Sequence, residues 1–210
     1  MPKRTIIFGD IHGCFVEWRE LMRKLHVTRE DRLISVGDLV CKGPSTRKCL
    51  DLAQKLPNLQ CVLGNQELDL LQHWKEDRLE DLPRDYQKSV VEELGNRMRD
   101  YLYFISTWPL FLDEPDYLVV HAGIRVEYPL ERQKAEEVTN LREIDGKPWY
   151  EYYKEKKLIV HGHWATQGLV VRDNVIGLDS GCVYGKKLSA LILPEREIVS
   201  VDAHKAYAGA

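Results

Sequence analysis

Metal-binding side chains follow five short apolar segments of the sequence. They are Asp10 and His12, Asp38, Asn65, His121 and His163. Each group stands beside a glycine, which lets the backbone turn sharply or approach a ligand closely. Imidazole, carboxylate and carboxamide groups suit Mn, Fe or Zn, and six of them are too many for one tetrahedral zinc. The set therefore predicts a site for two divalent metal ions, Mn²⁺ foremost, with Fe, Zn, Co and Ni as alternatives.

Such a pair of cations predicts chemistry at phosphorus. Two metals about 3.5–4 Å apart clamp an in-line displacement and generate hydroxide near neutral pH. Their charge of +4 exceeds the −2 of Asp10 and Asp38, so the site could attract phosphate although the whole chain carries a net charge of −3. The partner we expect is a phosphorylated small molecule or nucleotide, with a phosphoprotein as the other possibility.

The segments that carry these residues alternate between strand and helix patterns. Apolar runs predict strands at 5–9, 32–36 and 59–63, and helical spacing predicts helices at 15–25, 45–55 and 67–74. Three strand–helix units in a row predict parallel strands joined by crossover helices. Ligand sites in such sheets form beyond the carboxyl ends of the strands, where the polar residues stand.

The remainder of the chain predicts a second sheet. Residues 75–107 are charged and helix-rich, which indicates a helical excursion, and another helix is expected near 148–155. A strand at 117–120 and five short strands between 158 and 201 suggest a second, antiparallel sheet. We therefore expect one domain over residues 1–210, with two sheets packed face to face and helices outside.

Composition excludes several classes of protein. The chain is 44% hydrophobic and 30% charged, as globular proteins are. Its acidic balance argues against binding of a nucleic-acid duplex, and no apolar run approaches the roughly 20 residues of a membrane span. Five cysteines without a CxxC pair indicate free, mostly buried thiols, so we expect a cytoplasmic protein. The oligomeric state stays open.

Five stretches, in this order, resemble the phosphoprotein-phosphatase-type branch of the calcineurin-like metallophosphoesterases. They are 9–13 (GDIHG), 37–40 (GDLV), 64–67 (GNQE), 121–123 (HAG) and 162–163 (GH). Within that branch, 37–44 (GDLVCKGP) and 179–185 (DSGCVYG) look most like the symmetrical diadenosine tetraphosphatases. The resemblance implies an α/β fold, an αββα sandwich of two mixed β-sheets flanked by helices.

The resemblance also implies a role for each candidate site residue. Asp10 and His12 would bind the first metal, and Asp38 would bridge the two. The second metal would be held by Asn65, His121 and His163, with Asn65 also touching substrate phosphate. Arg142 and Lys42 are candidate phosphate contacts, and His161 has no family role. Attack would come directly from metal-bound hydroxide, without a phosphoenzyme.

Gln66 departs from the family pattern. The third motif of the family reads Gly-Asn-His-Glu, and its His would protonate the leaving group, which a carboxamide cannot do. Loss of a general acid typically lowers the rate about 10²–10⁴-fold, so we expect lowered activity. We favour a substitution introduced into a competent hydrolase, while a naturally slow enzyme and a protein that binds phosphate without hydrolysis remain open.

The sequence thus favours a dinuclear-metal phosphohydrolase that cleaves phosphoanhydride or phosphoester bonds, foremost in dinucleoside polyphosphates. One alternative is a small serine/threonine phosphatase, but Cys41–Gly43 (CKG) stands where protein phosphatases have Asp-Arg-Gly. The other is a catalytically silent phosphate-binding module, which only Gln66 supports.

Overall fold

The computed structural model describes residues 4–209, which contain twelve β-strands and six α-helices. The strands are β1 (Thr5–Phe8), β2 (Arg32–Ser35), β3 (Leu59–Cys61), β4 (Phe111–Asp113), β5 (Tyr117–Val120), β6 (Glu143–Ile144), β7 (Lys147–Pro148), β8 (Leu158–His161), β9 (Val170–Val171), β10 (Val175–Gly177), β11 (Lys187–Leu193) and β12 (Glu197–Asp202). The helices are α1 (Phe15–Lys24), α2 (Thr46–Lys55), α3 (Asn65–Lys75), α4 (Asp85–Leu94), α5 (Met98–Ile105) and α6 (Ala135–Asn140).

Two five-stranded sheets form the centre of the structure. The first has the order β12-β11-β1-β2-β3 and the second β4-β5-β8-β10-β9. In each sheet three neighbouring strands run parallel: β1, β2 and β3 in the first, and β5, β8 and β10 in the second. Antiparallel strands complete both sheets. The expected pair of mixed sheets is confirmed.

Alternating side chains divide the core into three layers. Ile7 in β1 faces the space between the sheets, where it packs with residues of the second sheet such as Val119. Its neighbours Ile6 and Phe8 point the other way, into the cluster that α1 to α5 cover. A third cluster, around Trp149, covers the outer face of the second sheet. This period-two alternation produces the αββα sandwich.

The first three strand–helix units and the helical excursion agree with the prediction. The described residues 75–107 include α4 and α5 and no strand. The helix expected near 148–155 is only a short 3₁₀ turn, Trp149–Glu151, and α6 and β4 were not predicted. That residues 1–210 form one domain stays a prediction; residues 1–3 and 210 lie outside the described part. Residues 4–209 include no helix that is both long and apolar enough to cross a bilayer.

The predicted antiparallel second sheet is wrong. The hairpin of β11 and β12 pairs with β1 and thereby extends the first sheet. In the second sheet, β8 runs parallel to both β5 and β10. The error arose because strand periodicity shows that a segment is extended, but not which sheet edge it joins.

A buried ion pair connects the start of β1 to the turn before β2. The Arg4 guanidinium donates to Asp31 at 2.8 Å, and the Thr28 backbone N–H donates to the same carboxylate at 2.7 Å. Burial opposes the charged form, but the hydrogen bonds from Arg4 and Thr28 prevail and lower the pKa of Asp31. This carboxylate should therefore stabilise the fold as an anion.

We expect Asp31→Asn to lower the free energy of unfolding at pH 7 by about 1–2 kcal/mol, because it removes a charged acceptor. A lowered folded-state pKa gives stability that is present above the unfolded value of about 4 and lost as the pH falls below it. Thermal denaturation from pH 7 to pH 2 should show the difference between variant and wild type shrinking with acid. Asp202→Asn, at an exposed ion pair with Lys187, is the control; an equal effect there would contradict the prediction.

Candidate active site

The strand ends of both sheets converge on one cluster of side chains. The six predicted metal-ligand residues lie there: Asp10 and His12 after β1, Asp38 after β2, Asn65 at the start of α3, His121 after β5 and His163 after β8. We call these six residues the donor cluster. All are buried except Asn65 and His163, which are partly exposed. The structure thus brings together every residue that was expected to bind metal.

Asp38 lies at the middle of the donor cluster. Its Oδ2 atom is 3.4 Å from Nε2 of His12, and its Oδ1 atom is 3.5 Å from Nε2 of His121. One carboxylate oxygen therefore faces the residues after β1, and the other faces the residues of the second sheet. This is the arrangement that a carboxylate shared between two cations requires.

Asn65 joins the two histidines of the second sheet. Its Oδ1 atom is 3.1 Å from Nε2 of His121 and also 3.1 Å from Nδ1 of His163. On the other side of Asp38, the backbone N–H of His163 donates to both oxygens of Asp10 at 3.1 Å. The donor cluster is therefore continuous across the junction of the two sheets.

The chemistry of these donors fits divalent cations. Asp10, His12 and Asp38 each offer one ligand atom, and these atoms lie within 4.8 Å of one another. Burial lowers the pKa of His12 to about 4 and that of His163 to about 2, so both imidazoles are neutral and keep a lone pair. Neutral imidazole, carboxylate and amide oxygen together suit Mn, Fe or Zn.

The carboxylates of the site repel one another. Burial, followed by the charges of Asp179 and Asp38, raises the pKa of Asp10 well above its ordinary value. Burial acts in the same direction on Asp38, but the nearby His121, His12 and Lys42 outweigh it and lower its pKa to about 2. Bound cations would offset this excess of negative charge.

The backbone at the donor cluster is strained. His12, Asp38 and His163 have φ angles of 46°, 50° and 69°, in the left-handed region that side chains with a Cβ rarely adopt. Such strain is typical of functional sites, where the surrounding structure enforces it. Gly162 allows the closest approach: a Cβ there would lie 1.9 Å from Oδ1 of Asp10.

Glu67 holds the loop that carries Asp38. Its carboxylate accepts hydrogen bonds from the backbone N–H groups of Asp38 at 2.9 Å, Val40 at 3.1 Å and Gly64 at 2.9 Å. Burial and the charge of Asp38 raise the pKa of Glu67 to about 8, although the three donors act in the opposite direction. Glu67 thus positions the loop after β2 against the start of α3.

A cavity of about 200 Å³ opens beside the donor cluster. Both predicted phosphate contacts, Lys42 and Arg142, line it, and so does Lys186. Nζ of Lys42 is 3.2 Å from Nε2 of His12, and Arg142 donates to the backbone oxygen of His163 at 3.4 Å. Burial opposes the charge on Lys42, but Asp38 and Tyr184 raise its pKa, so it stays cationic.

Gln66 lies in the first turn of α3, next to Asp38. Its backbone N–H donates to Oδ1 of Asp38 at 3.0 Å, and its side chain is only 3% exposed. Its Oε1 atom has no hydrogen-bond partner within residues 4–209. The side chain interacts with Tyr86, which α4 supplies, so the helical excursion reaches the active-site loop.

His161 is not part of the donor cluster. Its ring lies 5.6 Å from Trp149 and 6.2 Å from Tyr150, and its Nδ1 atom is 3.0 Å from the backbone oxygen of Gly162. The side chain therefore packs into the outer cluster of the second sheet, consistent with its lack of a family role.

The sequence analysis missed Asp179, Tyr184 and Lys186, all of which line the cavity. Asp179 follows β10 after one residue, so the rule that found the other strand-end residues could have found it. Tyr184 and Lys186 stand in the turn before β11, where no periodicity or spacing distinguishes them from surface residues.

Comparison with known proteins agrees with this site and fold. The model of the calcineurin-like phosphoesterase family matches residues 3–198. The chain is 30% identical to an asymmetrical bis(5'-nucleosyl)-tetraphosphatase of Anoxybacillus flavithermus, over 96% of this chain and 95% of that one. It is 26% identical to a symmetrical bis(5'-nucleosyl)-tetraphosphatase of Vibrio parahaemolyticus, over 95% of this chain and 98% of that one.

A solved structure has the same architecture. The crystal structure of a candidate diadenosine tetraphosphatase superposes with a TM-score of 0.84 at 32% identity, covering 97% of this chain and 96% of that one. The chain therefore belongs to the calcineurin-like phosphoesterase family. It is a metal-dependent phosphohydrolase, as the sequence motifs predicted.

Gly162→Ala should weaken binding of Mn²⁺ by about 10–100-fold, the usual cost of displacing a group that supports a metal ligand. The added Cβ would collide with Asp10 and, at 2.7 Å, with Val36. Isothermal titration calorimetry with MnCl₂ measures the effect. Gly209→Ala is the matched control, because nothing lies within 4 Å of its Cβ position. Equal Mn²⁺ affinity in both variants would show that Asp10 is not held as described.

Proposed function

We propose that the protein hydrolyses dinucleoside polyphosphates, and that it cleaves diadenosine tetraphosphate at its central anhydride bond. The observation that carries the proposal is the position of the donor cluster beside a cavity with three cationic side chains. A monoester offers such a cavity a single phosphate, whereas a polyphosphate chain offers several. The similarity to bis(5'-nucleosyl)-tetraphosphatases of both kinds supports the same substrate class.

In this proposal the donor cluster holds two Mn²⁺ ions. Asp10 and His12 bind one, Asp38 contacts both, and Asn65, His121 and His163 bind the other. When bound, the ions would neutralise phosphate charge and lower the pKa of a water molecule. The neutral imidazoles serve this role because an imidazolium has no lone pair to offer.

The cavity side chains orient the polyphosphate. Arg142 can present two parallel N–H donors to phosphate oxygens, and Lys42 and Lys186 supply point charges. The amide of Asn65 also lies within reach of a phosphoryl group at the donor cluster, because Asn65 lines the same cavity. Gln66 lowers the rate wherever the departing oxygen needs a proton.

Product analysis tests the proposal directly. Protein incubated with Mn²⁺ and diadenosine tetraphosphate should release ADP as the only nucleotide, which ion-exchange chromatography resolves; chelation with EDTA should stop the reaction. Cleavage of an outer anhydride would instead yield ATP and AMP. Faster release of phosphate from a phosphoserine peptide would identify a protein phosphatase. Tight binding without turnover of any substrate would identify a silent binding module.

Lys186→Ala should raise KM for diadenosine tetraphosphate about tenfold, because one charge-assisted phosphate contact is lost. Its neighbour provides the control: Lys187 points away and pairs with Asp202 at 2.6 Å. Steady-state kinetics of Lys187→Ala should match wild type. If both variants behave alike, the cavity is not where the polyphosphate binds.

A further inference from the structure

Gln66 stands where a proton donor to the leaving group would be useful, and it cannot serve as one. A carboxamide carries N–H donors but does not release a proton near neutral pH. The position is held by the bond from its backbone N–H to Asp38 at 3.0 Å. Its Oε1 atom lacks a partner among the described residues, so the side chain is not held there by a saturated hydrogen-bond network.

The other groups of the site do not replace this donor. His12, His121 and His163 are neutral and belong to the donor cluster. Lys42 and Arg142 keep their protons, since the pKa of Lys42 is raised and a guanidinium does not deprotonate in proteins. Burial raises the pKa of Asp179 to about 6, helped by the charge of Asp38, which bound cations would offset.

The consequence depends on the bond that breaks. Hydrolysis forms a bond between a water oxygen and phosphorus, and the electron pair of the broken P–O bond stays on the departing oxygen. In an anhydride this oxygen belongs to a phosphate whose second pKa is about 6, so it departs as a stable anion and the water proton goes to solvent. The departing oxygen of a serine ester is an alkoxide nearly as basic as hydroxide, and it requires a proton.

The cationic cavity suits the first case. Lys42, Arg142 and Lys186 can stabilise charge on a departing phosphate by hydrogen bonds alone. They offer no comparable help to an uncharged serine side chain, which has no phosphate oxygens beyond the bond that breaks.

We infer that Gln66 makes the active site selective for weakly basic leaving groups, so that it hydrolyses phosphoanhydrides and discriminates against alkyl phosphoesters such as phosphoserine. The inference rests on the proposed function and narrows it to one chemical class. It also gives Gln66 a use in a working enzyme, whereas the explanation by an introduced substitution gives it none.

A leaving-group series tests the inference. The full chain with Mn²⁺ is assayed on aryl phosphates whose phenols range from strongly acidic to as weakly acidic as tyrosine, with a pKa of about 10. A phosphoserine peptide and diadenosine tetraphosphate complete the set. The variants are Gln66→His, Gln66→Met, which cannot transfer a proton either, and Gln72→His, which adds a histidine on the exposed face of the same helix. Calorimetric Mn²⁺ binding and thermal stability verify that each variant is folded.

For wild type, kcat/KM should fall steeply as the leaving group becomes more basic. Gln66→His should flatten this dependence, raising phosphoserine turnover about 10²–10⁴-fold and anhydride cleavage less than about tenfold. Gln66→Met should keep the steep dependence whatever its overall rate, and Gln72→His should match wild type. A structural role for Gln66 would change all substrates by one common factor.

The outcomes separate the inference from the proposed function. If Gln66→His accelerates phosphoserine and anhydride hydrolysis equally, or if the wild-type dependence is shallow, the inference is wrong while tetraphosphate cleavage can still stand. If the dependence is steep and flattens in Gln66→His, but diadenosine tetraphosphate is not cleaved, the inference holds and the proposed substrate is wrong.

Discussion

The crowding of charge around Asp38 is the constraint on which the structure depends. Its two carboxylate oxygens face histidines from different sheets, 3.4 and 3.5 Å away. Keeping that carboxylate buried beside other acids is costly unless hydrogen bonds and opposite charges offset the loss of water. Most features of the active site serve this purpose: neutral imidazoles, backbone N–H donors and the cation of Lys42.

The fold provides these features through the strand ends. Three parallel strands in each sheet end at the junction between the sheets, so short loops from both can meet there. The loops accept left-handed backbone and close glycine contacts because Glu67 holds them through three backbone hydrogen bonds. Rigid support of this kind keeps ligand atoms in place before a cation binds.

The chemistry of the site follows from what stands next to the donor cluster. The family architecture supplies metal-dependent attack on phosphorus, and this chain adds a cavity with three cations but no proton donor at Gln66. Charge stabilisation and proton donation are alternative ways to help a leaving group depart. A site that retains the first without the second is suited to leaving groups that are already acidic.

The sequence by itself determined the donor cluster, the first three strand–helix units and the expectation of two mixed sheets. These were predictable because strand periodicity and the polar residue at each strand end are local in the chain. Tertiary structure alone decided that β11 and β12 join the first sheet, and that Tyr184 and Lys186 reach the cavity. It also brought Tyr86 from α4 to Gln66. Such contacts depend on which distant segments pack together, and hydrophobic pattern within one segment carries no information about its partner.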